Sequence, residues 1–237
     1  MNLILLFKED FIAPQRVRLS GDRKDHIQSI LKAKAGDALC VGLCDGLIGR
    51  GTVVENETEV VLEVNFDQSP PDPLPLTLIL ALPRPPVLKR VLLCAASLGI
   101  KNMIILNFNR VEKSLWNSSA LKTAAIQEQL VLGLQQAKDT RMPEVILEER
   151  FKPFVEDRLP GLIKGTLGLV AHPAGNGPCP HNIKGPVTLI IGPEGGIIDY
   201  ELEKLVQLGF KPVDLGPRIL KVESVLPYMI GRIGLAF

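Results

Sequence analysis

The chain predicts an α/β fold in two parts, and three observations carry that expectation. Residues 3 to 66 read as short apolar strands broken by turn residues, the pattern of a small all-β unit. The stretch QSPPDPLPL, Gln68 to Leu76, then places four prolines in nine residues. Beyond it the period changes to strands alternating with helices, as in a parallel sheet covered on both faces. The expected divisions are 1–68 for a β-barrel domain, 69–76 for a proline-rich linker and 77–237 for the α/β domain.

In the first part the strands are ALCVGL, LIGRGTVV and TEVVLEVNF, with one helix over Arg23 to Ala33. The proline run disfavours helix and central strand alike, so it serves as a semi-rigid spacer. After it come the strand LTLILAL, a helix over Val87 to Leu98 closed by Gly99, the strand MIILNF, a helix over Ser118 to Lys138 and the strand EVILEE. TLGLVAH, VTLIIG and KPVDLG supply further strands. A helix over Tyr200 to Leu208 follows Asp199 as N-cap, and a last helix begins near Ser224 with Pro227 in its first turn. Pattern alone predicts an open doubly wound sheet, because threaded chains are essentially absent from the general repertoire.

Composition narrows the function classes. With 237 residues and 46% hydrophobic content the chain can fill a sizeable core. No apolar stretch approaches the roughly 20 residues that cross a bilayer. The opening MNLILLF is interrupted by Lys8, Glu9 and Asp10, too early for a signal peptide, so a cytoplasmic location without membrane partners is expected. Cys40, Cys44, Cys94 and Cys179 lack paired C-x-x-C spacing and suit buried thiols. Cys179 and His181 alone do not make a tetrahedral ligand set, so no metal is expected.

The net charge of +1 argues against a nonspecific polyanion binder. Its distribution points the other way. Between Arg84 and Lys122 there are seven basic residues, Arg84 and Lys89 among them, against Glu112 alone, a local excess of 7 − 1 = +6. Such a segment could line a phosphate path or be a solvated face balanced in space. Arg23, Lys24, His26 and Lys32 on the first helix could hold RNA against the barrel; a structural histidine and solvated lysines are the plainer alternative. Aromatic residues are sparse, with Trp116 the one tryptophan, so stacking of many unpaired bases is not the expected mode.

The chemistry concentrates in two segments, VTLIIGPEGG (Val187 to Gly196) and LGPRILKVES (Leu215 to Ser224), separated by one short helix. Gly192, Gly195 and Gly196 follow an apolar strand, and missing Cβ atoms there would let a ligand approach the backbone at the carboxyl edge of a sheet. The competing reading is a tight strand-to-helix turn without a ligand. A nucleotide-phosphate loop is disfavoured, since neither G-x-x-x-x-G-K-[ST] nor G-x-G-x-x-G occurs and Glu194 is a poor neighbour for phosphate.

These two segments resemble the SPOUT class of RNA methyltransferases, most closely its bacterial small-subunit (16S) ribosomal RNA uracil-N3 family. Members of that family carry GPEGG followed by LGPRILR-x-E-T. The similarity extends, with less specificity, to DHIQSILKAKAGDALCVGLCDG (Asp25 to Gly46), ALPRPPVLKRVLLCAASLGI (Ala81 to Ile100) and TRMPEV (Thr140 to Val145). This chain departs from the family at Ser97 in place of Glu, at Gln135, Gln136 and Asp139 in the E-Q-x-x-R segment, and at Lys221 in place of the second arginine.

The resemblance implies a SPOUT fold with a C-terminal trefoil knot, a PUA-like RNA-binding barrel before it, and a homodimer. The apolar ending MIGRIGLAF would suit a partner surface. It also implies S-adenosylmethionine as cofactor, held by His172, Pro173, Ile191, Gly192, Pro193, Glu194, Gly195, Gly196, Leu215, Gly216, Ile219 and Leu220. Ribosomal RNA or the small ribosomal subunit would be the substrate. Methylating uracil N3 requires loss of an imide proton and stabilisation of charge on the ring oxygens. Glu223 is the candidate proton acceptor or water-orienting group, with Arg218 and Lys221 holding the uracil oxygens or a flanking phosphate. Alternatively Arg218 and Glu223 form a structural ion pair, and Glu194 anchors its loop by capping backbone amides. A noncatalytic RNA-binding assembly factor that kept the fold is the rival function.

Overall fold

The computed structural model describes residues 2–173 and 179–235. They form two compact units: Met1–Pro71 together with Val131–Met142, and Asp72–Leu130 together with Pro143–Phe237.

The first unit is a six-stranded mixed sheet of β1 (Ile4–Leu6), β2 (Phe11–Ala13), β3 (Arg16–Leu19), β4 (Ala38–Leu43), β5 (Ile48–Asn56) and β6 (Val60–Gln68) in the order β1-β4-β5-β6-β3-β2. β1 runs parallel to β4, and the other pairings are antiparallel. The apolar opening of the chain is explained here. Side chains alternate across a strand, so Ile4 and Leu6 enter one core with Val17, Val41 and Leu62. Leu3 and Leu5 enter a second core with Ile48 and Leu134. A strand buried on both faces reads as a continuous apolar run.

The helical segment of this unit differs from the expected Arg23–Ala33. α1 (Gly21–Asp25) passes into a π-helical turn, His26–Leu31, which ends at Lys32 in the left-handed conformation, φ 50°. Asn56 Nδ2 donates to the Ala33 carbonyl at 2.5 Å, fixing the chain as it leaves the helix.

The second unit is a parallel six-stranded sheet of β7 (Leu76–Ala81), β8 (Asn102–Leu106), β9 (Glu144–Glu148), β10 (Leu167–Ala171), β11 (Val187–Ile191) and β12 (Lys211–Val213). The order is β12-β10-β11-β7-β8-β9, with every pair parallel. Its helices are α2 (Pro85–Ser97), the start of α3 (Thr123–Ala137), the one-turn segments α4 (Phe151–Pro153) and α5 (Leu159–Leu162), α6 (Asp199–Gln207) and α7 (Val222–Ile233). From Val131 onward α3 belongs to the first unit.

α2 opens at Pro85 and not Val87, with proline in its first positions. Three further helix starts move from their expected positions, each for a local reason. α3 opens at Thr123 and not Ser118, because the Ser118 hydroxyl accepts from the Ala120 N–H at 3.2 Å and holds a separate 3-10 turn. α6 opens at Asp199 with Ile198 as N-cap, since the Glu201 carboxylate turns back to the Ile198 N–H at 3.3 Å. α7 opens at Val222, which places Pro227 inside the helix and beyond its first turn. Proline has no N–H, so the Glu223 carbonyl lacks the helical donor that residue 227 would normally supply.

The apolar stripe of α7 is spent inside its own unit. Val222, Val225, Leu226, Met229, Ile230 and Ile233 are buried where the helix packs on α2 and β11. Its exposed side carries Ser224, Pro227, Tyr228, Gly231 and Arg232. The far end of α7 rests on the segment that precedes β11: His181 Nδ1 donates to the Arg232 carbonyl at 2.8 Å, and the Ile183 N–H donates to the Ile233 carbonyl at 3.1 Å.

Candidate functional site

Adjacent parallel strands deliver three loops to one edge of the second unit. Ala171 at the end of β10 stands in register with Ile191 at the end of β11 and with Val213 at the end of β12. His172–Pro173, Gly192–Gly196 and Asp214–Leu220 therefore leave the sheet side by side. The His172 N–H donates to the Val213 carbonyl at 3.1 Å, tying the first loop to the third. Carboxyl ends of parallel strands are where α/β sheets place ligands, because the backbone groups there are not consumed by the sheet.

The loop after β11 is a β-turn, closed by a 2.8 Å bond from the Gly196 N–H to the Pro193 carbonyl. Gly196 has φ +80°, a conformation that favours glycine. Gly192 is needed for a different reason, since a Cβ there would fall 2.5 Å from Ile197 Cγ1. Ile191 and Pro193 are buried, whereas Glu194 and Gly195 are exposed. Glu194 makes no hydrogen bond among the described residues, so it is not the anchor of this loop. That task falls to two residues the sequence did not single out. Arg110 donates to the Gly195 carbonyl at 2.5 Å. Glu201, 2% exposed, accepts from the Asn109 N–H at 2.7 Å and from the Ile198 N–H. A carboxylate at the third position of a helix carries no distinguishing signal, so only the geometry reveals it.

In the loop after β12, the Asp214 side chain accepts from the Gly216 N–H at 2.9 Å, and Gly216 sits at φ +110°. The Leu215 carbonyl accepts from the Tyr228 hydroxyl at 3.3 Å. Leu215 and Leu220 are half-buried, and Ile219 is 85% exposed, an apolar side chain with almost nothing over it. Arg218 is exposed and makes no ion pair among the described residues.

The Arg218–Glu223 pair weighed from the sequence is not formed. Glu223 is paired instead with Arg90 of α2, 3.1 Å away, and its side chain is 25% exposed. Glu223 also lies in the first turn of α7, where a carboxylate is favoured by the helix dipole. Its pKa is held below the usual carboxylate range, first by a bond from its own backbone N–H and then by Arg90 and Lys221. Glu223 is therefore an anion, and Lys221 stands exposed beside it as the N-cap of α7.

The expected RNA-facing residues divide. Arg23 is engaged internally: its guanidinium binds both oxygens of Asp10, at 2.6 and 2.7 Å, and the Leu5 carbonyl at 2.9 Å. It also stacks 5.5 Å from the Phe7 ring. Burial depresses the pKa of His26, whose Nε2 has no hydrogen-bond partner. Lys24 donates to the Thr58 carbonyl at 2.8 Å, and Lys32 is exposed. In the second unit Arg84 is exposed and pairs with Glu112 at 3.3 Å, while Lys89 is exposed on α2. Two of the family departures also acquire a structural meaning. Gln135 and Asp139 are each 3% exposed inside the first unit, where the Gln135 carbonyl accepts from the N–H groups of Asn2 and Leu3. The lost charge does not lie on a surface open to RNA.

Comparison with known proteins assigns the class. An RNA methyltransferase domain family matches residues 70–234, and the chain belongs to that family. Among its relatives, ribosomal RNA small subunit methyltransferase E of Treponema pallidum is 28% identical over 240 residues, covering 94% of this chain and 87% of the relative. The protein of the same name from Synechocystis is 28% identical over 235 residues, covering 94% and 75%. Among solved structures, ribosomal RNA small subunit methyltransferase E of Neisseria gonorrhoeae, bound to S-adenosyl methionine, superposes with a TM-score of 0.71 at 22% identity, covering 98% of this chain and 96% of that one. A Legionella pneumophila protein described as a methyltransferase with bound SAM gives a TM-score of 0.72, also at 22% identity, covering 97% and 95%.

Proposed function

We propose that this chain transfers a methyl group from S-adenosylmethionine to N3 of a uracil in small-subunit ribosomal RNA. The observation that carries this reading is the meeting of three strand-end loops with the N-terminus of α7, which brings Arg218, Lys221 and Glu223 to the edge where Gly192–Gly196 and Leu215–Leu220 emerge. The cofactor fits the residues present. The Gly195 N–H and the Gly216 carbonyl, the backbone groups there that Arg110 and Asp214 do not use, can hydrogen-bond an adenine edge, and Ile219 supplies uncovered apolar surface for its face. The sulfonium, when bound, supplies an electrophilic methyl group and needs no metal.

The residues of the chain then act on the uracil. An imide is far less acidic than a carboxylic acid, so complete proton transfer to a carboxylate already held anionic is uphill. Glu223 is better suited to accept a hydrogen bond from N3–H, or from a water that carries the proton away. Arg218 and Lys221 hold the ring oxygens on which charge develops. The positive end of α7 points at the same place.

The finer architecture belongs to this proposal. A trefoil knot is supported by the seating of the end of α7 on residues 181–183, the segment that leads into β11. A PUA-like role in RNA binding for the first unit is supported by its mixed sheet and by exposed Lys32, and the division at residues 68–76 by the proline run. A homodimer is supported by the small, exposed side of α7 at Ser224, Pro227 and Gly231. A cytoplasmic location is supported by ribosomal RNA as the substrate.

The test is nucleoside mapping of ribosomal RNA from cells with and without the protein, followed by addition of purified protein and labelled S-adenosylmethionine to the deficient small subunits. Loss and restoration of one N3-methyluridine is the expected result. An unchanged mark rejects the uracil assignment, and the absence of any missing mark favours the noncatalytic assembly factor. Gly192→Ala provides a local check. Its added methyl must displace Ile197, at about 1–3 kcal/mol, so the S-adenosylmethionine Kd is expected to rise about tenfold in calorimetry.

A further inference from the structure

Two clefts open on the second unit outside the three loops themselves. One, of 380 Å³, lies among Glu148, Glu149, Arg150, Phe154, Asp157 and Arg158, and in it Arg158 is paired with Glu148. The other, of 290 Å³, lies at the carboxyl end of β8, between α4 and the start of α6, and Ile198 joins it to the loop that begins at Gly192.

We infer that the second cleft binds one unpaired nucleotide of the RNA substrate, with the base on Tyr200 and the phosphate on Lys113 and Lys152. Its floor is rigid and fully satisfied. Asn107 accepts from Trp116 Nε1 at 3.0 Å and donates to the Glu149 carbonyl at 3.2 Å. The Phe151 ring lies 5.1 Å from that of Phe108. The Glu201 carboxylate is turned inward onto two backbone amides and presents little charge to the opening.

The rim is the opposite. Tyr200 is 46% exposed, and its hydroxyl has no hydrogen-bond partner among the described residues. Lys113 and Lys152 are exposed, the former without an ion pair among the described residues, and the Asn109 side-chain amide is likewise uncommitted. The Lys204 ammonium lies 5.9 Å from the Tyr200 ring centroid, and the ring is otherwise open to solvent. A fixed floor beneath an exposed ring, two cations and a free amide matches what a single nucleotide offers: a π-face, a phosphate and a polar base edge. Membership of an RNA methyltransferase family makes RNA the occupant, and the junction at Ile198 puts that nucleotide beside the loop assigned to the cofactor.

The inference rests on RNA being the substrate, and its test is kept separate from the methylation assay. Fluorescein-labelled single-stranded oligouridine of about 10 nucleotides is titrated with the full chain by anisotropy at several salt concentrations. Tyr200→Ala is expected to weaken binding by about tenfold, one base–aromatic stack, while Tyr200→Phe retains wild-type affinity. The Lys113→Ala, Lys152→Ala double variant is expected to lower the slope of log K against log salt by roughly 1.4, about 0.7 for each phosphate contact. S-adenosylmethionine affinity and melting temperature serve as controls and stay unchanged. Wild-type affinity in Tyr200→Ala, or an unchanged salt slope in the double variant, overturns the inference. If those results come while the wild-type chain methylates small subunits, only the cleft assignment fails. If Tyr200→Ala loses RNA but the wild-type chain leaves subunits unmethylated, the cleft stands and the methyl-transfer reading fails.

Discussion

Arg218→Ala is expected to lower kcat for methyl transfer on the order of 10²–10³-fold, the usual cost of removing one donor from developing negative charge, with the melting temperature unchanged. The separation of these effects follows from the structure. Arg218 is exposed and pairs with nothing among the described residues, so the folded state loses no contact. Glu223 behaves differently because it is tied to Arg90. Glu223→Gln keeps an acceptor for the imide proton and should retain more activity than Glu223→Ala. The sign of the pH dependence is also fixed. A carboxylate with a depressed pKa contributes stability above its unfolded value, about 4.3, and loses it only as pH falls through the lower folded value. Glu223 thus stays ionised across the neutral range. The rate should rise with pH as the imide proton becomes easier to lose, without an acidic inflection near neutrality. A pH–rate profile with such an inflection, abolished in Glu223→Gln, would show that Glu223 is a true proton acceptor with a raised pKa.

How much of this was legible beforehand depends on whether the signal was local. The strands of both units were readable because burial on one or both faces imposes an apolar period, and the GPEGG turn because few residues other than glycine tolerate φ +80° or the approach of Ile197 to Gly192. The partners of those loops were not readable. Arg110 and Gly195 lie 85 positions apart, and Arg90 and Glu223 lie 133 apart. A sequence shows the charge of each but not which opposite group it meets. Arg23 illustrates the converse error. Counted as one of several cations on a helix, it looked available to RNA; in the fold it satisfies Asp10 and a backbone carbonyl. The helix starts failed for a related reason: Ser118 and Glu201 compete for backbone amides over three residues or fewer, and periodicity does not resolve that competition.

Glu201→Ala is expected to produce the largest loss of stability among the residues around the site, and to weaken cofactor binding without touching the cofactor. The carboxylate is 2% exposed and joins two segments of the second unit far apart in sequence, Asn109 after β8 and Ile198 before α6. Removing it leaves two amide donors at a place water reaches poorly, at about 1–3 kcal/mol for each unsatisfied group, and adds a cavity the size of its side chain. A total of about 3 kcal/mol is a large share of the 5–15 kcal/mol that holds an ordinary domain together. Glu201→Gln separates shape from charge. It fills the same volume and offers one acceptor oxygen, but its NH₂ must face the other amide, so roughly half the loss should remain. The functional consequence follows from the position of Ile198, two residues after Gly196. If the Ile198 N–H is no longer held, the turn closed by Pro193 and Gly196 loses its fixed exit into α6, and Arg110 alone braces the loop. Denaturant unfolding gives the first effect and calorimetry with S-adenosylmethionine the second. Stability near wild type in Glu201→Ala would mean that water can enter and satisfy both amides. Lost stability with unchanged cofactor affinity would mean that Arg110 suffices to preorganise the loop, and the double variant with Arg110→Ala would then show the coupling as a loss greater than the sum of the two.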